Sequence, residues 1–157
     1  MSVFPLTGKR KKIAKIIVAC IACIACLTIV SSIYRSVQLE SIYDLPENEV
    51  VYHLDQYSTS SKENSTDHTL SSTFWWFSGA CPIGSLQLPQ AQVCTVSARQ
   101  SIGAIKLFFF PQEGTPVVWA PTDDPSLPLT AGSYKVYGIG KHFFGSVEIA
   151  LPPQSQP

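Results

Sequence analysis

The residues of this chain whose chemistry could matter are few and far apart. Cys81 and Cys94 are the two cysteines outside the apolar N-terminal stretch that holds Cys20, Cys23 and Cys26. Neither belongs to a Cys-x-x-Cys pair, which argues against thiol–disulfide exchange. In an exported domain an even pair predicts a structural disulfide, and closing a loop of this length stabilises a fold by about 3 kcal/mol. His53 and Asp55 stand two apart, so a strand would place them on one face as a metal or acid–base pair, but no third ligand or nucleophile accompanies them. Asp123 and Asp124 are adjacent carboxylates, short of the roughly six oxygens that calcium takes, and read as solvated loop charge. His68 and His142 read as surface residues. There is no Gly-x-Ser-x-Gly elbow, no phosphate-binding glycine loop and no His-Glu-x-x-His helix. The expectation is a protein that is not an enzyme and holds no cofactor and no metal.

Aromatic residues are the more telling group. Phe74, Trp75, Trp76 and Phe77 are consecutive, and Trp119 lies further on. Successive strand residues point to opposite faces, so two of the four must look away from any one core. A central strand covered on both sides is the favoured expectation, because large exposed apolar patches are rare on monomeric domains. Otherwise one face is a docking surface for a partner protein, or a stacking platform for sugar rings on Trp75, Trp76 or Trp119.

These residues must be positioned by what precedes and surrounds them. Lys9, Arg10, Lys11, Lys12 and Lys15 form a basic cluster, and residues 16–34 follow without a charge. That run approaches the roughly 20 residues needed to cross a bilayer core. It reads as a signal anchor that leaves residues 1–15 in the cytoplasm and exports the rest, since basic residues resist translocation. Val30-Ser31-Ser32 would also permit cleavage of a signal peptide, which would release a secreted domain. Ala19 and Cys23, and likewise Ala22 and Cys26, stand four apart and line one side of the helix with small side chains, the spacing that lets a second helix approach. Cys20 is a palmitoylation candidate. All acidic residues lie from Glu40 onward, so a formal net charge of +0 conceals a basic stub and an acidic remainder. Nucleic acid is an unsuitable partner for such a domain, because phosphate binding needs a concentrated basic face.

Beyond the span, residues 35–46 read as a helical stalk ended by Pro46. Residues 49–55 alternate as a first strand, and residues 56–72, rich in Ser and Thr and carrying an Asn64-Ser65-Thr66 sequon, read as a flexible loop. Further strands are expected at 92–98 and 102–110, the latter in a hairpin with 115–120, then at 134–139 and 146–151, with a loop over 121–130 and a tail at 153–157. Six to eight short strands between Pro and Gly breaks over residues 47–152 predict an all-β domain, a β-sandwich ahead of a small barrel. The stretch Leu129-Thr130-Ala131-Gly132-Ser133-Tyr134-Lys135-Val136 is similar to the turn–strand phrase of many prealbumin-like and other sandwich modules.

The function these features imply is that of a single-pass envelope protein, periplasmic-facing if bacterial. Its exported β-domain would dock on a partner in a membrane assembly or form a homo-oligomer. Binding of carbohydrate or another envelope polymer is the alternative.

Overall fold

A computed structural model describes residues 8–66 and 68–152, with the side chains of 8–12, 14 and 59–65 excepted. Expectations for residues 1–7, for the side chains of Lys9 to Lys12 and of Asn64, and for the tail 153–157 therefore lie outside the described residues. The chain divides into two compact units, Met1–Val37 and Gln38–Pro157.

The first unit is dominated by α1, the 34-residue helix Gly8–Ser41. Its large apolar side chains, Ile16, Ile17, Val18, Ile21, Ile24, Leu27, Ile29 and Val30 among them, are exposed on every side. A surface helix of a soluble domain buries one stripe, whereas a helix apolar all round belongs in a protein core or a membrane. By length and composition this one is enough to cross a membrane, and it fits equally a membrane anchor or a signal sequence. Ala19, Ala22, Cys23 and Cys26 are all exposed along it.

The second unit begins with the last turn of α1, a 3-10 turn at Ile42–Asp44, the short helix α2 at Glu47–Val50 and a second 3-10 turn at Val51–His53. The strand expected over 49–55 is not formed. Leu45 takes an extended backbone before Pro46, and Pro46 opens the helical turn with Glu47 and Glu49 at its positive end. Val50 and Leu54 are also four apart, a helical spacing as well as an alternating one, and both turn toward the same cluster while Tyr52 is exposed.

Six strands follow: β1 Tyr57–Thr66, β2 Thr69–Leu88, β3 Gln92–Pro111, β4 Val117–Trp119, β5 Ser126–Leu129 and β6 Gly132–Ala150. They form one antiparallel sheet in the order β1-β2-β6-β3-β4, with β5 also paired to β3, and the sheet does not close on itself. The expected loop over 56–72 is mostly the β1–β2 hairpin, paired from Tyr57 opposite Gly79 to Thr66 opposite Thr69 with one register shift between Ser58 and Ser60. Its backbone pairs along the well-packed β2. Within the expected loop 121–130, Leu127 and Leu129 are buried and β5 pairs with Cys94 and its neighbours. The pairs of short strands expected at 92–98 and 102–110, and at 134–139 and 146–151, are each one long strand.

Those long strands are bent. Two residues, Trp75 and Trp76, stand between the pairs Phe74–Gly145 and Phe77–Phe143, where β6 supplies one. One step along, β6 has the extra residue, with Lys141 and His142 opposite Ser78. On β3 the register slips between Gln100 and Ile102 and again before Ala104. Bulges at one level of three neighbouring strands turn the sheet over. As a result Leu70, near the start of β2, packs against Gly84 of the same strand, which a straight strand would place about 45 Å away.

The enclosed face holds the main cluster, including Phe74, Phe77, Ile83, Val96, Leu107, Phe109, Trp119, Val136, Phe143 and Ile149. A second cluster lies under the helical segment 38–54, where Leu39, Ile42 and Val50 meet Ala80, Phe108 and Ile139. The Cys81–Cys94 disulfide predicted from sequence is not formed; no disulfide joins the two, and both side chains are buried in the main cluster. Neither cysteine is paired with the other along the sheet. Cys81 lies opposite Gly138, at the level of Leu107 two strands over, whereas Cys94 sits near the other end of β3 opposite Leu127. Each serves as a small apolar side chain.

At the bend, Gly103 has φ +80, and an added Cβ would run into the carbonyls of His142 and Lys141. Gly103→Ala is therefore expected to destabilise the fold by about 2 kcal/mol or more in urea unfolding. Gly132→Ala, where an added Cβ meets nothing within 4 Å, should cost roughly half that.

Candidate functional site

The β2 bulge decides how the aromatic run is displayed. Trp76 has φ +59, a left-handed conformation uncommon for a bulky residue, and this breaks the alternation of faces. Phe74 and Phe77 both turn inward, stacked with ring centroids 4.7 Å apart, and Phe143 meets Phe74 edge-on at 5.8 Å. Trp75 and Trp76 both turn outward, 60% and 58% exposed. The expected doubly covered strand is thus overturned: one extra residue puts both indoles on the surface.

Each indole has a neighbour from β6. Trp75 packs edge-on against Phe144 at 5.6 Å between centroids, and Trp76 lies over His142 at 5.6 Å. Phe144 is in turn paired with Ile102 of β3, and residues directly opposite in an antiparallel pair share a face. Both are exposed. Trp75, Phe144 and Ile102 therefore form a row across three adjacent strands, with Trp76 at its edge.

The backbone beneath is held by polar contacts. His142, with φ +51, would leave its N–H orphaned by the bulge, but it donates to the buried hydroxyl of Ser78 at 3.1 Å. The His142 Nε2 lies 3.1 Å from the Glu40 carboxylate, and its Nδ1 has no hydrogen-bond partner. Next to it, Lys141 Nζ donates to Asp44 Oδ2 at 2.7 Å, which with the negative charge of Asp44 raises the Lys141 pKa. Lys106 donates to the Tyr43 carbonyl at 3.2 Å and sits 4.4 Å from the Tyr43 ring centroid, and burial raises the Tyr43 hydroxyl pKa. Two lysines and His142 thus strap the segment 40–44 beside the aromatic row.

The other residues singled out from sequence are dispersed. Trp119 is 3% exposed in the main cluster, its indole donating to the Asp124 carbonyl at 2.9 Å, so it is not available to stack on a sugar. The carboxylates of Asp123 and Asp124 accept from the backbone N–H groups of Ala120 and Ser126, both at 2.7 Å, and so shape the loop. His53 sits in a 3-10 turn and Asp55 has φ +68, so they share no strand face. Tyr134 is buried, with its hydroxyl donating to the Thr130 carbonyl at 3.2 Å, which gives the turn–strand phrase at 129–136 a local role. Among the described residues no group of three or more His, Cys, Asp and Glu side chains could hold a metal ion.

Sequence reasoning missed Phe144, Ile102, His142 and Glu40. The signal that could have found the first of these is the second aromatic pair, Phe143-Phe144, bracketed by Gly140 and Gly145. Comparison of the chain with protein-family models, with curated proteins and with solved structures gives no significant match.

Trp75→Ala and Trp76→Ala should each change stability by no more than about 0.5 kcal/mol, whereas Phe77→Ala should cost about 3–5 kcal/mol, as read by urea unfolding. The cysteines offer a separate check, since burial raises the Cys94 thiol pKa and makes it a poor nucleophile. Without reductant, iodoacetamide should modify neither Cys81 nor Cys94 in the folded protein and both in urea. A requirement for reductant would mean that a bridge exists.

Proposed function

We propose that this protein is a single-pass, membrane-anchored binding module without catalytic activity. In this reading α1 is retained in the bilayer with its basic N-terminal end in the cytoplasm. The β-domain, sandwich-like with an open sheet edge, stands on the other side and docks on a neighbouring component of the membrane. The observation that carries the reading is the outward pair Trp75 and Trp76, continued by Phe144 and Ile102 on the far side of a bulge. Large aromatic side chains held outward by a strained backbone cost the fold stability, and such strain persists at sites that use it.

Support for the anchor comes from the charge pattern and from a helix exposed all round. Support for binding over catalysis comes from the chemistry present. The polar groups near the row, Glu40, Asp44, Lys141 and His142, are engaged in strapping the chain.

Site-specific photo-cross-linking in native membranes tests the proposal. A photoreactive residue at position 76 should form adducts with a membrane component, protein or lipid, while one at the exposed position 52 should form few. Equal, near-background yields at the two positions would remove the docking surface from the proposal.

A further inference from the structure

The nature of the docked component follows from the size of the aromatic row and from its tether. Two indoles about three-fifths exposed, with Phe144 and Ile102 partly so, present on the order of 400 Å² of apolar surface. A stable protein–protein interface needs about 800 Å² from each partner. The row supplies only the apolar part of such a patch, and the polar groups beside it are already paired within the chain, Glu40 with His142 and Asp44 with Lys141. Four apolar side chains are, by contrast, enough for shallow insertion at a lipid surface. Tryptophan is the residue type that settles there, because its ring is apolar and its N–H is satisfied among headgroups. The exposed flanking residues on β3, Gln100 and Ser101, are uncharged and hydrogen-bonding, as the same layer requires.

The chain also limits where the row can go. His142, on which Trp76 lies, is 3.1 Å from Glu40, and Glu40 is six residues after Tyr34, the end of the uncharged run. Six residues span at most about 20 Å in any conformation. With the side chains added, Trp76 remains within about 35 Å of the hydrocarbon boundary, and residues 35–39 are too few to carry it further.

We infer that Trp75, Trp76, Phe144 and Ile102 form a lipid-interface contact, seating the β-domain on the headgroup layer of the bilayer that holds α1. The inference rests on the anchored reading above, and the test separates the two. The full chain is reconstituted into phosphatidylcholine vesicles whose acyl chains are brominated near the headgroup end, and its emission is compared with that in unbrominated vesicles. Trp119, buried in the protein core, serves as the internal reference.

The expected result is that bromolipid removes about half or more of the tryptophan emission and that aqueous acrylamide quenches little. The double variant Trp75→Phe, Trp76→Phe should lose the bromolipid effect while Trp119 still emits. If the chain stays with the vesicles after alkaline carbonate but acrylamide quenches the indoles and bromolipid does not, the lipid contact is wrong and the anchor stands. If, in addition, acrylamide quenching disappears only in native membranes, a protein partner covers the row and the inference is again overturned. If carbonate strips the chain from the vesicles, the anchored reading fails and takes this inference with it.

Discussion

Three strands of about twenty residues, run straight, would each be roughly 65 Å long, far beyond what a domain of this size can cover with a single core. The stack of bulges across β2, β6 and β3 resolves that problem and fixes nearly everything else. Because the extra residues fall at one level, all three strands turn together. The sheet faces itself, and one set of inward side chains from both halves makes a common core. Leu70 packs against Gly84 of the same strand. Glycine is needed where the turned backbones pass most closely. Gly140 lies under the ring of Phe77 and Gly103 under the backbone of β6, and neither site has room for a Cβ.

Turning the sheet leaves an outer face that has to be covered or displayed, and the molecule does both. Where Ala80, Phe108 and Ile139 face outward, the segment 38–54 lies over them with Leu39, Ile42 and Val50. Its position is set by apolar burial and by the polar contacts of Lys106, Lys141 and His142. Exposed ion pairs contribute little energy of their own, so the apolar contacts hold the segment and the charged ones select its register. Where Trp75, Phe144 and Ile102 face outward, they remain exposed. The same bulge that bends the core therefore creates the surface, since the residue that gives β2 its extra length is one of the two tryptophans.

This coupling has a functional sense. A patch built from flexible loop residues would pay an ordering cost on contact, whereas these rings sit on strands of the sheet, where the His142 N–H is taken up by Ser78. The patch also neighbours His142, whose Nε2 lies 3.1 Å from Glu40 in the last turn of α1.

The long apolar helix was legible from residues 16–34, because an uncharged run of that length has few other uses, and the all-strand character of the remainder followed from alternation and from Pro and Gly punctuation. The β3–β4 hairpin was equally plain, with Pro111 to Gly114 between alternating runs. Strand continuity was not legible. A bulge looks in sequence like the end of one strand and the start of another, so residues 92–110 and 134–150 read as four strands where the fold makes two. Residues 56–72 read as loop because their pairing comes from the neighbour they lie against, and residues 49–55 read as strand because Val50 and Leu54 satisfy either period. The cysteine pair could be counted but not located, since register alone decides what lies opposite Cys81. The consecutive Phe and Trp residues announced themselves by type; which two would be buried was decided by a single left-handed residue at position 76, a backbone state that side-chain identity does not encode and that only the packing of three strands imposes.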